Sequence, residues 1–135
     1  MIEYLYDAVP KHEMVEKLYN ENEWVAYTKD MPKLMEAIKN SLAVITAWDG
    51  DDLVGLLRAV GDGKTILYVQ DILVQPSYQR QGIGKKLISM IFEHYKDVRQ
   101  KVLLTDDTEK TRKFYESVGM KACDDLKLMS FIKID

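Results

Sequence analysis

Two glycines one residue apart, Gly82 and Gly84, stand where the strongest amphipathic helical pattern of the chain begins. The first amide N–H groups of a helix have no partner inside it, and the helix dipole adds partial positive charge there, so phosphates bind at this end. A Cβ at either position would hold a phosphate away from the backbone. Arg80, Lys85 and Lys86 add cations. The stretch predicts a phosphate-binding turn, with a tight turn and close helix packing as the alternative explanation.

Two common phosphate-binding motifs do not fit the residues around these glycines. The P-loop pattern requires glycine at Gln79 and serine or threonine at Lys86. The dinucleotide-binding pattern requires a third glycine where Leu87 stands. A different phosphate compound is therefore expected.

The elements that must position this turn follow from hydrophobic periodicity and turn residues. Strands are predicted at 2–9, 42–48, 53–60, 65–74, 101–105 and 127–134, and helices at 11–22, 30–41, 83–95 and 106–119. Three successive strands followed by a strand–helix–strand unit indicate a mixed sheet with helices on its faces and a right-handed parallel crossover.

The composition limits the function further. The chain has 135 residues, 47% of them hydrophobic and 30% charged, with a net charge of −3, so it lacks the basic surface of a nucleic-acid-binding protein. No apolar stretch approaches the ~20 residues that span a bilayer, and no signal peptide is recognisable. The single cysteine, Cys123, is compatible with the reducing cytoplasm. His12 and His94 lack metal-ligand spacing, so no metal site is expected.

Residues 79–84, QRQGIG, resemble the Q/R-x-x-G-x-G/A signature of the GNAT superfamily, the acyl-CoA-dependent N-acetyltransferases. Residues 114–120, FYESVGM, resemble a later helix of the same family. The order of predicted elements agrees with this family over essentially the whole chain. The segment at 46–63 is similar to a bacterial and plastid subgroup, some of whose members acetylate arylalkylamines.

The resemblance implies a GNAT-like α/β fold over a single N-acetyltransferase domain, residues 1–135. Its sheet would be mixed and mostly antiparallel, with about six to seven strands, a splayed parallel pair and about four flanking helices. Acetyl-CoA would be the co-substrate. Backbone groups of Ile72, Leu73 and Val74 would pair with its pantetheine arm as with another strand, and the Ile72 N–H would polarise the acetyl carbonyl. The other cofactor-binding residues implied at this turn are Gln79, Arg80, Gln81, Gly82, Ile83, Gly84 and Lys85.

The second matching segment implies a catalytic role for Tyr115, as the general acid that protonates the departing CoA thiolate. Phe114 and Thr108 would contact the cofactor, although the family often has asparagine where Thr108 stands, and Thr108 is equally suited to capping the helix. The glutamate base of better-known members is replaced by Tyr68, so the identity of the base is open. The alternative for Phe114 and Tyr115 is that both side chains simply pack in the core.

The resemblance places the pocket for the amine between the first two helices and the splayed strands. Trp24 and Tyr27 are suited to stacking an aromatic amine, and Glu21 or Glu23 to attracting a cation. Asp71 is the carboxylate nearest to the position of the missing base, Tyr68, and is therefore a candidate base. Core packing, solvated acids and a structural role at a β-bulge are the respective alternatives.

The predicted function is therefore cytoplasmic N-acetyltransfer from acetyl-CoA to a small-molecule primary amine, by direct attack and without nucleic acid, membrane or metal. A non-catalytic acyl-CoA-sensing module of the same fold and an unrelated nucleotide-binding domain are the alternatives. Pairing of two copies into a homodimer through sheet edges is left open.

Overall fold

The computed structural model describes residues 1–135 as two units, Met1–Leu104 and Thr105–Asp135. The strands of the first unit are β1 (Ile2–Tyr6), β2 (Ala43–Asp49), β3 (Asp52–Gly61), β4 (Ile66–Val74) and β5 (Gln100–Leu103). Its helices are α1 (His12–Glu21), α2 (Val25–Thr28), α3 (Met31–Lys39) and α4 (Ile83–His94). The second unit contains α5 (Glu109–Ser117) and a 3-10 turn at Cys123–Leu126. That residues 1–135 make one domain stays a prediction.

The five strands form one sheet in the order β1-β2-β3-β4-β5. The first three pairs are antiparallel, and β4 runs parallel to β5 through the α4 crossover. The predicted mixed sheet with one parallel pair is thus confirmed.

Helices lie on both faces of this sheet. Leu56 and Leu73 pack with Val15 and Leu18 of α1 and with Leu34 of α3 in one buried cluster. The neighbouring Gly55 faces the other side, where a Cβ would lie 3.1 Å from Ile83 Cγ2 of α4. Because side chains alternate across a strand, α4 covers the face opposite α1 and α3. The short helix α2 lies in a stretch for which the sequence predicted no element.

The parallel strands part where β4 is distorted. Their pairing ends at Val69 and Leu103, while β4 continues to Val74. Between β3 and β4 the register shifts, so that Arg58 pairs with Asp71 but Ala59 pairs with Val69. The extra residue, Gln70, makes a β-bulge at the start of the unpaired part of β4.

The sheet has fewer strands than the six to seven expected. The predicted last strand at 127–134 is wrong, because these residues form neither strand nor helix. Their large apolar side chains are exposed, namely Leu128, Met129, Phe131, Ile132 and Ile134. The apolar residues of this segment suit a strand, but a strand also requires a neighbour for its backbone groups.

Candidate active site

The open edge of β4 has a defined backbone direction. The Gln75 N–H donates to Val54 O of β3 at 2.8 Å. Since successive residues of a strand direct their N–H and C=O groups to opposite sides, the groups of Leu73 also face β3, and those of Ile72 and Val74 face away from it. On that side β5 has already ended. This edge therefore offers hydrogen-bonding groups to an extended amide ligand.

The residues after β4 fix the turn that follows. Tyr78, in a 3-10 turn at Pro76–Tyr78, donates from its hydroxyl to Asp49 Oδ2 of β2 at 2.5 Å. Gln79 donates from Nε2 to Val74 O at 3.1 Å, so its amide covers one acceptor of the open edge. These two contacts hold the turn against the end of the sheet.

The signature turn has two residues in the left-handed region, Arg80 with φ +66° and Gly82 with φ +83°. Gly82 is the N-cap of α4, and no side chain caps the helix there. A Cβ on Gly82 would have no protein atom within 4 Å, so it would point into open space beside the free amides. The positive φ means that alanine at Gly82 strains the backbone, although its intrinsic helix propensity exceeds that of glycine.

A buried ion pair occupies the bulge. Arg58 Nε of β3 donates to Asp71 Oδ2 at 2.6 Å, and Asp71 is 1% exposed. Two tyrosine hydroxyls donate to the same carboxylate, Tyr19 to Oδ2 at 2.8 Å and Tyr27 to Oδ1 at 3.0 Å. Burial first, and then the Asp71 charge, raise the pKa of Tyr19. Asp71 therefore satisfies a buried guanidinium, and its structural role at the bulge is the one that the contacts support.

A cavity of about 400 Å³ lies beside this ion pair. Its lining residues are Glu23, Trp24, Val25, Ala26, Tyr27, Gln70 and Asp71. Trp24 and Tyr27 have their ring centroids 6.0 Å apart, and the Tyr27 hydroxyl accepts from Gln70 Nε2 at 3.1 Å. Burial raises the pKa of Tyr27, the Gln70 hydrogen bond lowers it, and the Asp71 charge raises it again, leaving it above its ordinary value.

The second unit carries the other matching segment. Thr108 is the N-cap of α5, and its Oγ1 accepts from the Thr111 N–H at 3.2 Å. Phe114 and Tyr115 lie edge to face with ring centroids 4.9 Å apart. Burial raises the pKa of Tyr115, and a hydrogen bond with Thr105 lowers it in part.

The structure brings Trp24, Tyr27 and Asp71 together around one cavity, and their role in binding an amine stays a prediction. Glu23 also lines the cavity, whereas Glu21 does not. The sequence prediction missed Arg58 and Gln70, because their contacts depend on the register at the bulge. The only signal for Arg58 in the sequence was a charged residue inside an otherwise apolar strand.

Two kinds of feature are absent from the described residues 1–135. No helix is both long and apolar enough to cross a bilayer. No three histidine, cysteine, aspartate or glutamate side chains lie together in a way that would hold a metal ion.

The chain matches the model of one protein family and is similar to several proteins named as acetyltransferases. The model of the acetyltransferase (GNAT) family matches residues 11–120. The acetyltransferase, GNAT family protein SP0256 from Streptococcus pneumoniae TIGR4 has a similar structure, with a TM-score of 0.89 and 38% identity, covering 100% of this chain and 98% of that one. An uncharacterized N-acetyltransferase, ycf52-like, from Prochlorococcus marinus is 31% identical over 93 residues, 64% of this chain and 51% of its own.

A histone acetyltransferase, TAP1, from Glycine max is 30% identical over 107 residues, 70% of this chain and 46% of its own. The chain thus spans about half the length of these curated relatives.

The buried ion pair yields a test of stability. We expect Asp71→Ala to lower the free energy of unfolding by about 3–5 kcal/mol, because it leaves the Arg58 guanidinium buried without a counter-charge. Tyr19→Phe removes one hydrogen bond to the same carboxylate and should cost only about 1 kcal/mol. Urea denaturation of both variants measures the difference. An equal loss of unfolding free energy in the two variants would show that Arg58 finds another counter-charge or hydrogen-bond acceptor.

Proposed function

The chain belongs to the acetyltransferase (GNAT) family, and from this premise we propose that it transfers an acetyl group from acetyl-CoA to the primary amine of a small molecule. The observation that carries the proposal is the unpaired edge of β4, followed within ten residues by an uncapped helix start. The edge suits the amides of pantetheine, and the turn suits a diphosphate. Both belong to one continuous segment.

In this proposal Ile72 and Val74 bind the pantetheine arm, because their backbone groups face away from β3. Leu73 anchors the strand, since its side chain is buried at 3% exposure. Acetyl-CoA supplies the activated acetyl group. The Ile72 N–H donates to the acetyl oxygen and stabilises the negative charge that develops there when the amine attacks.

The diphosphate is proposed to lie on the backbone amides from Arg80 to Lys85, with Gly82 and Gly84 allowing close approach, and Gln79 is proposed as a further contact at the start of the turn. Arg80 and Lys85 add positive charge at the same place. No side chain of this turn competes for the first amides of α4. Thr108 and Phe114 are proposed as further cofactor contacts on the basis of the family motif.

Tyr115 is proposed to donate its phenolic proton to the departing thiolate. Its raised pKa keeps the phenol protonated at neutral pH, as an acid requires. Asp71 is not proposed as the base, because its carboxylate already accepts from Arg58 and two tyrosines. The amine is proposed to lose its proton to solvent.

The proposal includes the cellular setting. Cys123 is a free, exposed thiol, which is compatible with a reducing compartment such as the cytoplasm. The exposed apolar residues at 128–134 favour a homodimer, because a second copy would give them a partner.

The primary experiment combines thermal unfolding with a thiol-release assay. We expect CoA and acetyl-CoA to raise the melting temperature, since a ligand at 100 times its Kd stabilises the protein by ~2.7 kcal/mol. Acetyl-CoA should release thiol when a small primary amine is added. Stabilisation by CoA without thiol release from any amine or peptide would indicate the sensing module, and stabilisation by ATP alone would contradict the family-based proposal.

The signature turn yields a second prediction. We expect Gly82→Ala to weaken CoA binding at least about tenfold, because its Cβ would project beside the amides proposed to hold the diphosphate. The variant should also lose about 1–2 kcal/mol of stability from its left-handed backbone. Gly50→Ala is a matched control, since Gly50 has φ +61° and equally open space in the β2–β3 turn. Calorimetric titration should show native CoA affinity in the control. Equal losses of CoA affinity in the two variants would indicate that the diphosphate binds elsewhere.

The proposed acid yields a third prediction. Tyr115→Phe should lower kcat by about 10²–10⁴-fold while leaving acetyl-CoA affinity and melting temperature nearly unchanged, because only the proton donor is removed. Tyr95→Phe is the control, since burial also raises the pKa of this tyrosine and no motif includes it. A kcat within twofold of the parent would remove Tyr115 from the mechanism, and a large fall in melting temperature would favour a packing role.

A further inference from the structure

The cavity beside α2 has an unusual balance of charge. Of its lining residues, only Glu23 and Asp71 are charged, and both are acidic. Asp71 is neutralised by Arg58 at 2.6 Å, whereas Glu23 is exposed and has no such partner among the ion pairs of the chain. No lysine, arginine or histidine lines the cavity. A cation is therefore attracted to this space, and an anion would find no counter-charge in it.

The hydrogen-bond polarity of the cavity is also set. An ionised carboxylate can only accept, so the Tyr27 hydroxyl must direct its proton to Asp71 Oδ1. The Tyr27 oxygen then accepts from Gln70 Nε2, which leaves Gln70 Oε1 free to accept a hydrogen bond from a ligand. The acceptors available to a ligand are thus the Tyr27 oxygen, Gln70 Oε1 and the Glu23 carboxylate, and they match the donors of an amino group. The side-chain donors among the lining residues, the Trp24 Nε1–H and the second N–H of Gln70 Nε2, are neutral and supply no charge to balance an anion.

The remaining wall of the cavity is apolar. Trp24 and Tyr27 are tilted by 32° with their ring centroids 6.0 Å apart, and Val25 and Ala26 complete the surface. An aromatic or aliphatic ligand body would bury apolar area against these side chains. A polyhydroxylated body would leave most of its hydroxyl groups without partners there.

We propose that this cavity binds amines with an aromatic or aliphatic body and no anionic group, and that Tyr27 determines this specificity by accepting a hydrogen bond from the amino group. Asp71 is the positioning residue that holds the Tyr27 proton inward. Amino acids and phosphorylated amines are disfavoured, because their anionic groups meet Glu23 and no cation. The inference rests on the proposed function, since Asp71 directly precedes Ile72, the residue proposed to hold the acetyl group.

The test uses pairs of probes that differ in one anionic group. Phenethylamine is compared with phenylalanine, and hexylamine with 6-aminohexanoate, by calorimetric titration of the full chain with CoA present and by thiol release from acetyl-CoA. We expect each amine to bind at least about tenfold more tightly than its carboxylated partner. Equal binding of both members of each pair, or binding of neither amine, would overturn the inference. Because binding is measured without turnover, the specificity is tested even if no acetyl transfer occurs.

Two variants test whether the Tyr27 hydroxyl is responsible for binding the amine. Tyr27→Phe should weaken phenethylamine binding at least about tenfold, because a hydrogen bond to a charged amino group is lost. Tyr19→Phe removes a hydrogen bond to the same Asp71 carboxylate but lies outside the cavity, so phenethylamine affinity should stay within about twofold. Equal losses in the two variants would attribute the effect to the buried network alone and overturn the role of Tyr27.

A change at Glu23 gives the complementary readout. Glu23→Lys supplies the missing cation, so we expect weaker phenethylamine binding and stronger phenylalanine binding than in the parent. Melting curves of all three variants confirm that each is folded at the assay temperature. If phenylalanine binding does not improve while the variant stays folded, the charge of the cavity does not set its specificity.

Discussion

The buried ion pair between Arg58 and Asp71 is the contact on which the rest of the site depends. It joins β3 to β4 across the bulge at Gln70, just beyond the last residues that β4 shares with β5. Asp71 also receives hydrogen bonds from Tyr19 of α1 and Tyr27 of α2. One carboxylate thereby ties two strands and two helices together at the point where the parallel strands part. Since each buried charge is costly alone, the two residues require each other.

The bulge and the ion pair explain why β4 can have an open edge inside a folded protein. An unpaired strand in the middle of a sheet leaves backbone groups without partners, which is unfavourable unless the strand is held from its other side. Here β3 pairs with β4 as far as Val74, and the Gln79 side chain covers the Val74 carbonyl. The strand keeps its conformation, and the Ile72 and Val74 N–H groups stay available.

The chemistry differs between the two ends of this open edge. At the far end, free amides of α4 and the cations Arg80 and Lys85 favour an anion. At the bulge, the cavity offers hydrogen-bond acceptors from Tyr27 and Gln70, and its one charge without a counter-ion is the Glu23 carboxylate. A ligand with phosphates at one end and an acyl group at the other, and an amine that meets the acyl end, both match this order. The two ends differ because the ion pair at the bulge has already engaged Arg58 and Asp71, which leaves the acceptors and Glu23 to face a ligand there.

The sequence by itself determined the type of most elements and the identity of the family. The period of the apolar residues predicted α4, and the turn residues predicted the three antiparallel strands before it. The spacing of Gly82 and Gly84 predicted the signature turn. These features are local, so the residues concerned are enough to recognise them.

Tertiary structure decided what depends on register and on partners. The bulge turned Asp71 from a candidate base into the partner of Arg58, and it aligned Tyr27 with Gln70. The apolar residues at 127–134 predicted a strand that the structure lacks, because a strand depends on a neighbour that no local pattern can supply.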